Sequence, residues 1–237
     1  MNSSPSRPPH VSLVTGAAGN LGQALAQLLH ARGDHVVLID RDGDRLRSVF
    51  EENTTRLLLS PDLTNADAVQ QAVQTVLGHW GRIDTLCNVA GGFRMGQAVH
   101  ETDDATWEFL FGLNARSVIH MARAVAPVML AQRSGSIVNV AAVTGERAAA
   151  RMGAYAASKA AVMRLTEAMA AELRPSGIRV NCVLPTIIDT PENRAAMPDA
   201  DTAQWVSTDA AARVIAFLAS GDAAAISGAA VPLSSSA

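Results

Sequence analysis

A single α/β domain, built on a doubly wound parallel sheet of about seven strands with helices on both faces, is the fold class this sequence predicts. Three observations carry the prediction. Short runs rich in Val, Ile and Leu alternate with longer stretches of helical period from His10 to Leu233. Those runs are apolar nearly throughout, as strands covered on both faces must be. The 237 residues, 49% hydrophobic and 17% charged, form one compositional regime without internal repeats, an ordinary size for one domain with a full core.

Taken in order, residues 1–9 (MNSSPSRPP) lack the apolar segment of a signal peptide and read as a disordered leader, which leaves 10–237 as the domain. His10 to Gly16 (HVSLVTG) is the first strand, and Leu21, Leu25, Leu28 and Leu29 mark the helix after it. His35 to Asp40 is the second strand and Arg56 to Ser60 the third, with a helix over Asn65 to Leu77 beyond it. Ile83 to Ala90 (IDTLCNVA) is a near-continuous apolar fourth strand. Trp107 to Gln132 is a long helical pattern, Ser136 to Ala142 the fifth strand, and Tyr155 stands near the start of a helix reaching Leu173. Ile178 to Leu184 is the sixth strand, Thr208 to Ala219 the last helix and Ala229 to Leu233 the seventh strand. The segment between, Pro191 to Ser207, has two prolines, Trp205 and few periodic residues, the length and composition of a lid.

Several function classes are disfavoured at once. A net charge of −3 without a basic stripe argues against nucleic acid, and no apolar run approaches a membrane span. Cys87 and Cys182 sit in apolar strand-like stretches with no metal-ligand spacing, so two buried thiols in a reducing cytoplasm are expected, and no metal.

Two stretches carry chemistry. Thr15-Gly16-Ala17-Ala18-Gly19-Asn20-Leu21-Gly22 joins a strand to a helix through small residues, which lets the backbone approach a pyrophosphate at the helix N-terminus. Asp40 ends the second strand, where a carboxylate accepts hydrogen bonds from ribose hydroxyls and repels a 2′-phosphate; this favours NAD over NADP, although Arg41 follows directly. Capping of the next helix is the bland alternative for Asp40. In the second stretch Tyr155 and Lys159 stand four apart on one helix face, and a neighbouring ammonium lowers a phenol's pKa and makes it a proton donor. The loop Gly91 to Gly96 (GGFRMG) follows the fourth strand at its carboxyl end, where open α/β sheets bind ligands, so Phe93, Arg94 and Met95 are candidate substrate contacts.

These motifs, in this order and over nearly the whole chain, resemble the short-chain dehydrogenase/reductase family. The resemblance implies a Rossmann-type fold and an NAD(H)-dependent oxidoreductase acting on a small carbonyl, quinonoid or hydroxyl compound, with Tyr155 as acid/base. The family's TGxxxGxG is matched by Gly16, Gly19 and Gly22, with Asn20 in place of the middle glycine and Leu21 after it. Asn tolerates left-handed backbone, so the turn is expected to survive. Asp62 and Leu63 resemble the adenine-contacting turn, although Asp62 reads equally as a helix cap. Asn88, Ala90 and Gly91 match NNAG with Val89 for the second Asn: Asn88 would tie strands together while Ala90 and Gly91 leave room for the nicotinamide side. Asn114 takes the place of the residue that bends its helix and holds a proton-relay water, and Lys159 that of the ribose contact. Pro185, Ile188 and Thr190 match PGxxxT, with Thr186 for glycine, and would meet the carboxamide. A homodimer or homotetramer is implied, seamed by the helices around Asn114 and Tyr155, although the tail after Leu233 is only SSSA.

One departure is sharp. The family's serine thirteen residues before the tyrosine is Ala142 here, and a lost contact of that kind costs roughly 10²–10³ in rate. Three readings stay open: Thr144 supplies the hydroxyl if the chain is still extended there; the substrate is electron-poor, as for dihydropteridine-reductase-like members, which Asn88 to Gly92 and Met152 to Lys159 resemble and which adds Met152 to the substrate candidates; or the protein is an idle NAD-binding sensor or partner.

Overall fold

β1 (Val11–Thr15) lies at the centre of a parallel sheet, flanked by β2 (His35–Ile39) and β4 (Thr85–Asn88). β3 (Arg56–Leu59) continues the sheet on one side; β5 (Gly135–Val140), β6 (Ile178–Pro185) and β9 (Ala230–Leu233) continue it on the other. The order is β3-β2-β1-β4-β5-β6-β9, all parallel, in a computed structural model that describes residues 9–235. The expected seven strands therefore all form. Of the stretch read as a leader, all but Pro9 lies outside the described residues.

The helices divide by which strand residues they cover, since alternate side chains point to opposite faces. α1 (Asn20–Ala31), α2 (Gly43–Val49) and α8 (Thr208–Ala219) pack through Leu25, Leu29, Leu46 and Ile215 onto Val14, Leu38, Cys87, Val138 and Val183. α3 (Ala66–Trp80), α5 (Ser117–Gln132) and α6 (Gly153–Leu173) pack through Val73, Val125, Met129 and Leu173 onto Leu13, Val37, Leu86, Ile137 and Val180. This is one domain with two layers of helix around one sheet.

Chain order reverses at β1, so the segments leaving β1 and β4 depart to opposite faces and open a crevice between them, the usual ligand position in such sheets. Register brings Thr15 opposite both Ile39 and Asn88, and Asn88 opposite Asn139. Buried amides use that register: Asn88 Nδ2 donates to Asn139 Oδ1 (2.8 Å), and Asn139 Nδ2 to Thr166 Oγ1 on α6 (2.9 Å).

Local differences from the sequence expectations have identifiable causes. Asp40 does not cap α2; Asp42 does, accepting from Arg45 N. Nor does Asp62 cap α3, because Asn65 takes the N–H groups of Asp67 and Ala68 while Asp62 closes a turn on Thr64. Asn20 needs no left-handed backbone: it is the first residue of α1, and the positive φ of the turn falls on Gly16, at 67°. The helix expected from Trp107 begins earlier as α4 (Asp104–Phe111) and passes through a π turn, Gly112–Arg116, before α5. The lid segment has more order than its composition implied. β7 (Ile188–Asp189) and β8 (Val206–Ser207) pair in parallel around α7 (Pro191–Ala196), and Trp205 is buried at their base.

Candidate active site

At the crevice Gly16 and Gly22 are fixed by close approach. A Cβ on Gly22 would stand 2.1 Å from Gly16 O, and one on Gly16 would meet the Ala90 backbone at 2.8 Å. Gly19 is the N-cap of α1 and brings no capping side chain, so the first N–H groups of that helix stay open to an anion. Asp40 leans over the turn: Oδ2 accepts from Ala18 N (3.0 Å) and Oδ1 from Asp42 N (3.1 Å). Small residues, an uncapped helix terminus and a carboxylate at the neighbouring strand end fit a dinucleotide. Thr15, to which the sequence assigned no role, clamps the turn to the next loop through Oγ1, which accepts from Val89 N and Ala90 N, both at 3.1 Å. Leu21 is buried behind the turn, whereas Arg41, Asp62 and Leu63 stand toward the β3 side. Leu63 O there accepts from His120 Nδ1 (2.9 Å), and the Thr64 hydroxyl and N–H hold Asp62 below the usual carboxylate range.

Tyr155, Lys159 and Asn114 converge on the end of β4. Asn114, on the π turn, accepts at Oδ1 from Gly92 N (2.7 Å) and donates through Nδ2 to Gly92 O (3.1 Å) and Ser158 Oγ (2.9 Å). Ser158 in turn donates to Tyr155 O (2.7 Å). A Cβ on Gly91 would lie 3.1 Å from Asn114 Oδ1 and 3.2 Å from Lys159 Nζ, so Gly91 sits between the two polar groups. Lys159 Nζ donates to Val140 O at the end of β5 (2.8 Å). Ser158 was missed because its neighbours Ala156 and Ala157 make it look like another small helix residue.

The electrostatics differ from expectation. Lys159 Nζ lies 6.0 Å from the centroid of the Tyr155 ring. Burial dominates both groups, pushing the phenol up to about 12 and the ammonium down to about 8. The expected lowering of the phenol by its neighbour is therefore absent in this conformation: the ammonium is spent on the Val140 carbonyl. At neutral pH the site holds a neutral phenol beside a cation.

Of the candidate substrate contacts, Phe93 meets Tyr155 edge to face, with centroids 4.9 Å apart, and Arg94 stacks over Phe109 with Cζ 3.9 Å from its centroid. Ala142 is buried and extended, but residues 143–145 turn into a 3-10 helix, so strand alternation does not bring Thr144 to the side Ala142 faces. The Thr144 hydroxyl is buried without a partner among the described residues. Pro185 ends β6 and Ile188 opens β7; Thr190 caps α7, accepting from Asn193 N (3.2 Å). Another unpredicted contact ties α1 to α7: Asn20 Nδ2 donates to Glu192 Oε2 (2.7 Å), with Arg45 Nη2 3.8 Å from the other carboxylate oxygen. Met152 lines a cleft of about 320 Å³ with Arg94 and Arg151. Among the described residues there is no cluster of metal-ligating side chains, and no helix is long and apolar enough to cross a membrane.

Comparison with known proteins places this geometry. A family model described as short chain dehydrogenase matches residues 10–201. Dehydrogenase/reductase SDR family member 6 of Aquarana catesbeiana is 31% identical over 235 residues, 92% of this chain and 93% of that protein. An uncharacterized oxidoreductase of Staphylococcus saprophyticus is 34% identical over 186 residues, 76% of this chain and 79% of its own. Among solved structures, 3-ketoacyl-(acyl-carrier-protein) reductase from Brucella melitensis, complexed with NADH, superposes with a TM-score of 0.85 at 28% identity, covering 94% of this chain and 96% of that one.

Proposed function

The chain belongs to the short-chain dehydrogenase family of oxidoreductases, and from that premise we propose that it transfers hydride between NAD(H) and a small carbonyl, quinonoid or hydroxyl substrate with Tyr155 as acid/base. The observation that carries the reading is the fastening of α6 at the Tyr155 backbone carbonyl, through Ser158 and Asn114, to Gly92, with Lys159, one turn on from Tyr155, reaching the same loop beside Gly91. NAD bound over Gly16, Gly19, Asn20 and Gly22, with its ribose at Asp40 and its nicotinamide side toward Asn88, Ala90, Gly91, Pro185, Ile188 and Thr190, would supply the hydride acceptor or donor. NAD is preferred to NADP because the Asp40 carboxylate repels a 2′-phosphate; relatives such as a xylitol dehydrogenase solved with NAD+, 26% identical and with a TM-score of 0.86, support a nicotinamide cofactor.

The protein's own groups then have separate tasks. Tyr155, neutral because burial holds its pKa at about 12, donates its proton to the substrate heteroatom in the reductive direction. Lys159, still largely a cation at pH 7, compensates the phenolate left behind. Asn114 holds the π turn and the Gly92 loop in place, so the bent helix can return a proton to Tyr155 by way of water. Ala142 supplies no hydrogen bond to the substrate oxygen, which favours an electron-poor double bond that needs less polarisation. The domain spans 10–237 and works in the cytoplasm, in keeping with the free thiols of Cys87 and Cys182. A homodimer or homotetramer uses the outer faces of the helices around Asn114 and Tyr155, α4 with α5 and α6; Trp107 and Ile119 are exposed on the first two.

Tyr155→Phe tests the reading: NADH affinity should stay near wild type while turnover falls by ~10²–10⁴-fold. Normal turnover by that variant would remove Tyr155 from the mechanism. The alternative, an idle NAD-binding sensor or partner, rests on Ala142; tight NADH binding without oxidation by quinonoid dihydropterin, quinones, diketones or ketoacyl thioesters would favour it.

A further inference from the structure

Between the loop after Phe93 and the first turn of α6, which leads into Tyr155, lies the cleft of about 320 Å³ to which Arg94, Met95, Arg151, Met152, Gly153 and Ala154 contribute. Two arginines line one small volume there, and neither is in an ion pair among the described residues. The Asp103 carboxylate feels the charge of Arg94 but makes no ion pair with it, its oxygens being taken by Gln97 Nε2 (2.8 Å) and Thr106 N (2.6 Å).

Each arginine is held in place by something other than a counter-ion. Arg94 is stacked on Phe109, which fixes the plane of its guanidinium and leaves the N–H edge free. Arg151 has a left-handed backbone, φ 62°, unusual for a residue with a side chain. Reciprocal bonds over-determine it: Gly96 N donates to Arg151 O (2.9 Å) and Arg151 Nη1 to Gly96 O (2.9 Å). Strain of this kind persists where surrounding structure imposes it, and it is concentrated at ligand sites. The positive end of the 21-residue α6, which no side chain caps, opens into the same cleft at Gly153 and Ala154 and adds to the field.

The cleft is also placed to belong to the reacting molecule. Arg94 follows Phe93, whose ring packs edge-on to Tyr155, and Ala154 precedes Tyr155 on α6. A substrate held at the phenol would reach the two arginines by way of the Phe93 loop and the first turn of α6, with Met95 and Met152 as apolar walls.

We propose that Arg94 and Arg151 seat an oxyanion, carboxylate or phosphate ester, at the far end of the substrate, so that the protein acts on small anionic carbonyl or hydroxy compounds in preference to neutral ones. The proposal rests on the oxidoreductase reading above for what happens at Tyr155, but the binding step can be measured apart from it.

Calorimetry on wild-type protein saturated with NAD+ uses pyruvate, 4-oxopentanoate and 6-oxoheptanoate against their methyl esters, and dihydroxyacetone phosphate against dihydroxyacetone. At least one anion should bind 10-fold or more tighter than its neutral counterpart. Arg94→Gln and Arg151→Gln should each lower that ratio about 10-fold, toward equal binding of anion and neutral compound, as the loss of a charged hydrogen bond does. Because Arg151→Gln disturbs a strained turn, wild-type affinity is also followed from 50 to 300 mM NaCl, where the anion alone should lose affinity. Equal binding of anion and ester, unchanged ratios in both variants, or no binding at millimolar concentration would each overturn the proposal. NADH oxidation is measured on the same compounds. Turnover of esters without anion preference overturns the cleft assignment and leaves the oxidoreductase reading standing; arginine-dependent anion binding without oxidation upholds the cleft and removes that reading for these compounds.

Discussion

Removing the Asn114 side chain separates the two elements that hold the site together, and the cost can be worked from the contacts. The residue is 1% exposed and makes three hydrogen bonds, to Gly92 N (2.7 Å), Gly92 O (3.1 Å) and Ser158 Oγ (2.9 Å). At about 1 kcal/mol net apiece, Asn114→Ala loses about 3 kcal/mol. Half-buried Gly92 can recover water, which pulls the figure toward about 2 kcal/mol, while the fully buried Ser158 hydroxyl pushes it toward about 4. In a chain of this length that is a drop in Tm of about 6–12 °C. Urea unfolding at constant m-value measures it, and a double-mutant cycle with Ser158→Ala isolates the bond between the two, for which a coupling of about 0.5–1.5 kcal/mol is expected. A loss below about 1 kcal/mol with no coupling would refute the view that this amide fastens the Gly92 loop to the Tyr155 helix.

Further predictions use other features of the same structure. Gly22→Ala, whose Cβ would press 2.1 Å from Gly16 O, should abolish NADH binding or soluble expression, whereas Gly78→Ala, exposed on α3 with nothing within 4 Å, should raise stability by about 0.5–1 kcal/mol. Equal effects would contradict the packing described. For Lys159, burial lowers the pKa from 10.5 to about 8, so between these values the unfolded chain binds more protons than the folded one, and this group makes stability climb as pH rises from about 8 to 10.5. Lys159→Met should remove that climb; an identical pH profile in unfolding titrations would show that the ammonium is not desolvated. Glu192→Ala cuts the exposed tie from α7 to Asn20, so global stability should change by less than ~0.5 kcal/mol while NADH dissociates ~2- to 5-fold faster in stopped-flow fluorescence. An unaltered release rate would mean that the tie does not restrain the cofactor's exit.

How far the sequence reaches can be judged residue by residue. Periodicity determined the strands and the long helices, because a strand covered on both faces is a short run of mostly apolar residues, whereas the helices show an apolar stripe every three to four residues. The glycine turn was legible for a similar reason: only residues without side chains allow Gly22 to approach the Gly16 carbonyl. Ala142 was legible as an absence at a fixed spacing from Tyr155. Helix caps were not, since Asp40 and Asp42, or Asp62 and Asn65, are chemically alike within a few positions, and the choice depends on where the backbone turns.

What tertiary structure alone decided were partners far apart in the chain. Asn114 meets Gly92 and Ser158, Asn20 meets Glu192, and Arg151 meets Gly96 only after the sheet order and the paths of the crossing helices are set. The ionisation of the central pair belongs to the same class. Spacing put Tyr155 beside Lys159 and suggested a softened phenol, but the direction of both shifts follows from desolvation, and desolvation depends on how much protein closes over a group. Local pattern fixes what a residue can do; the packed fold fixes which atoms surround it, and with them its charge.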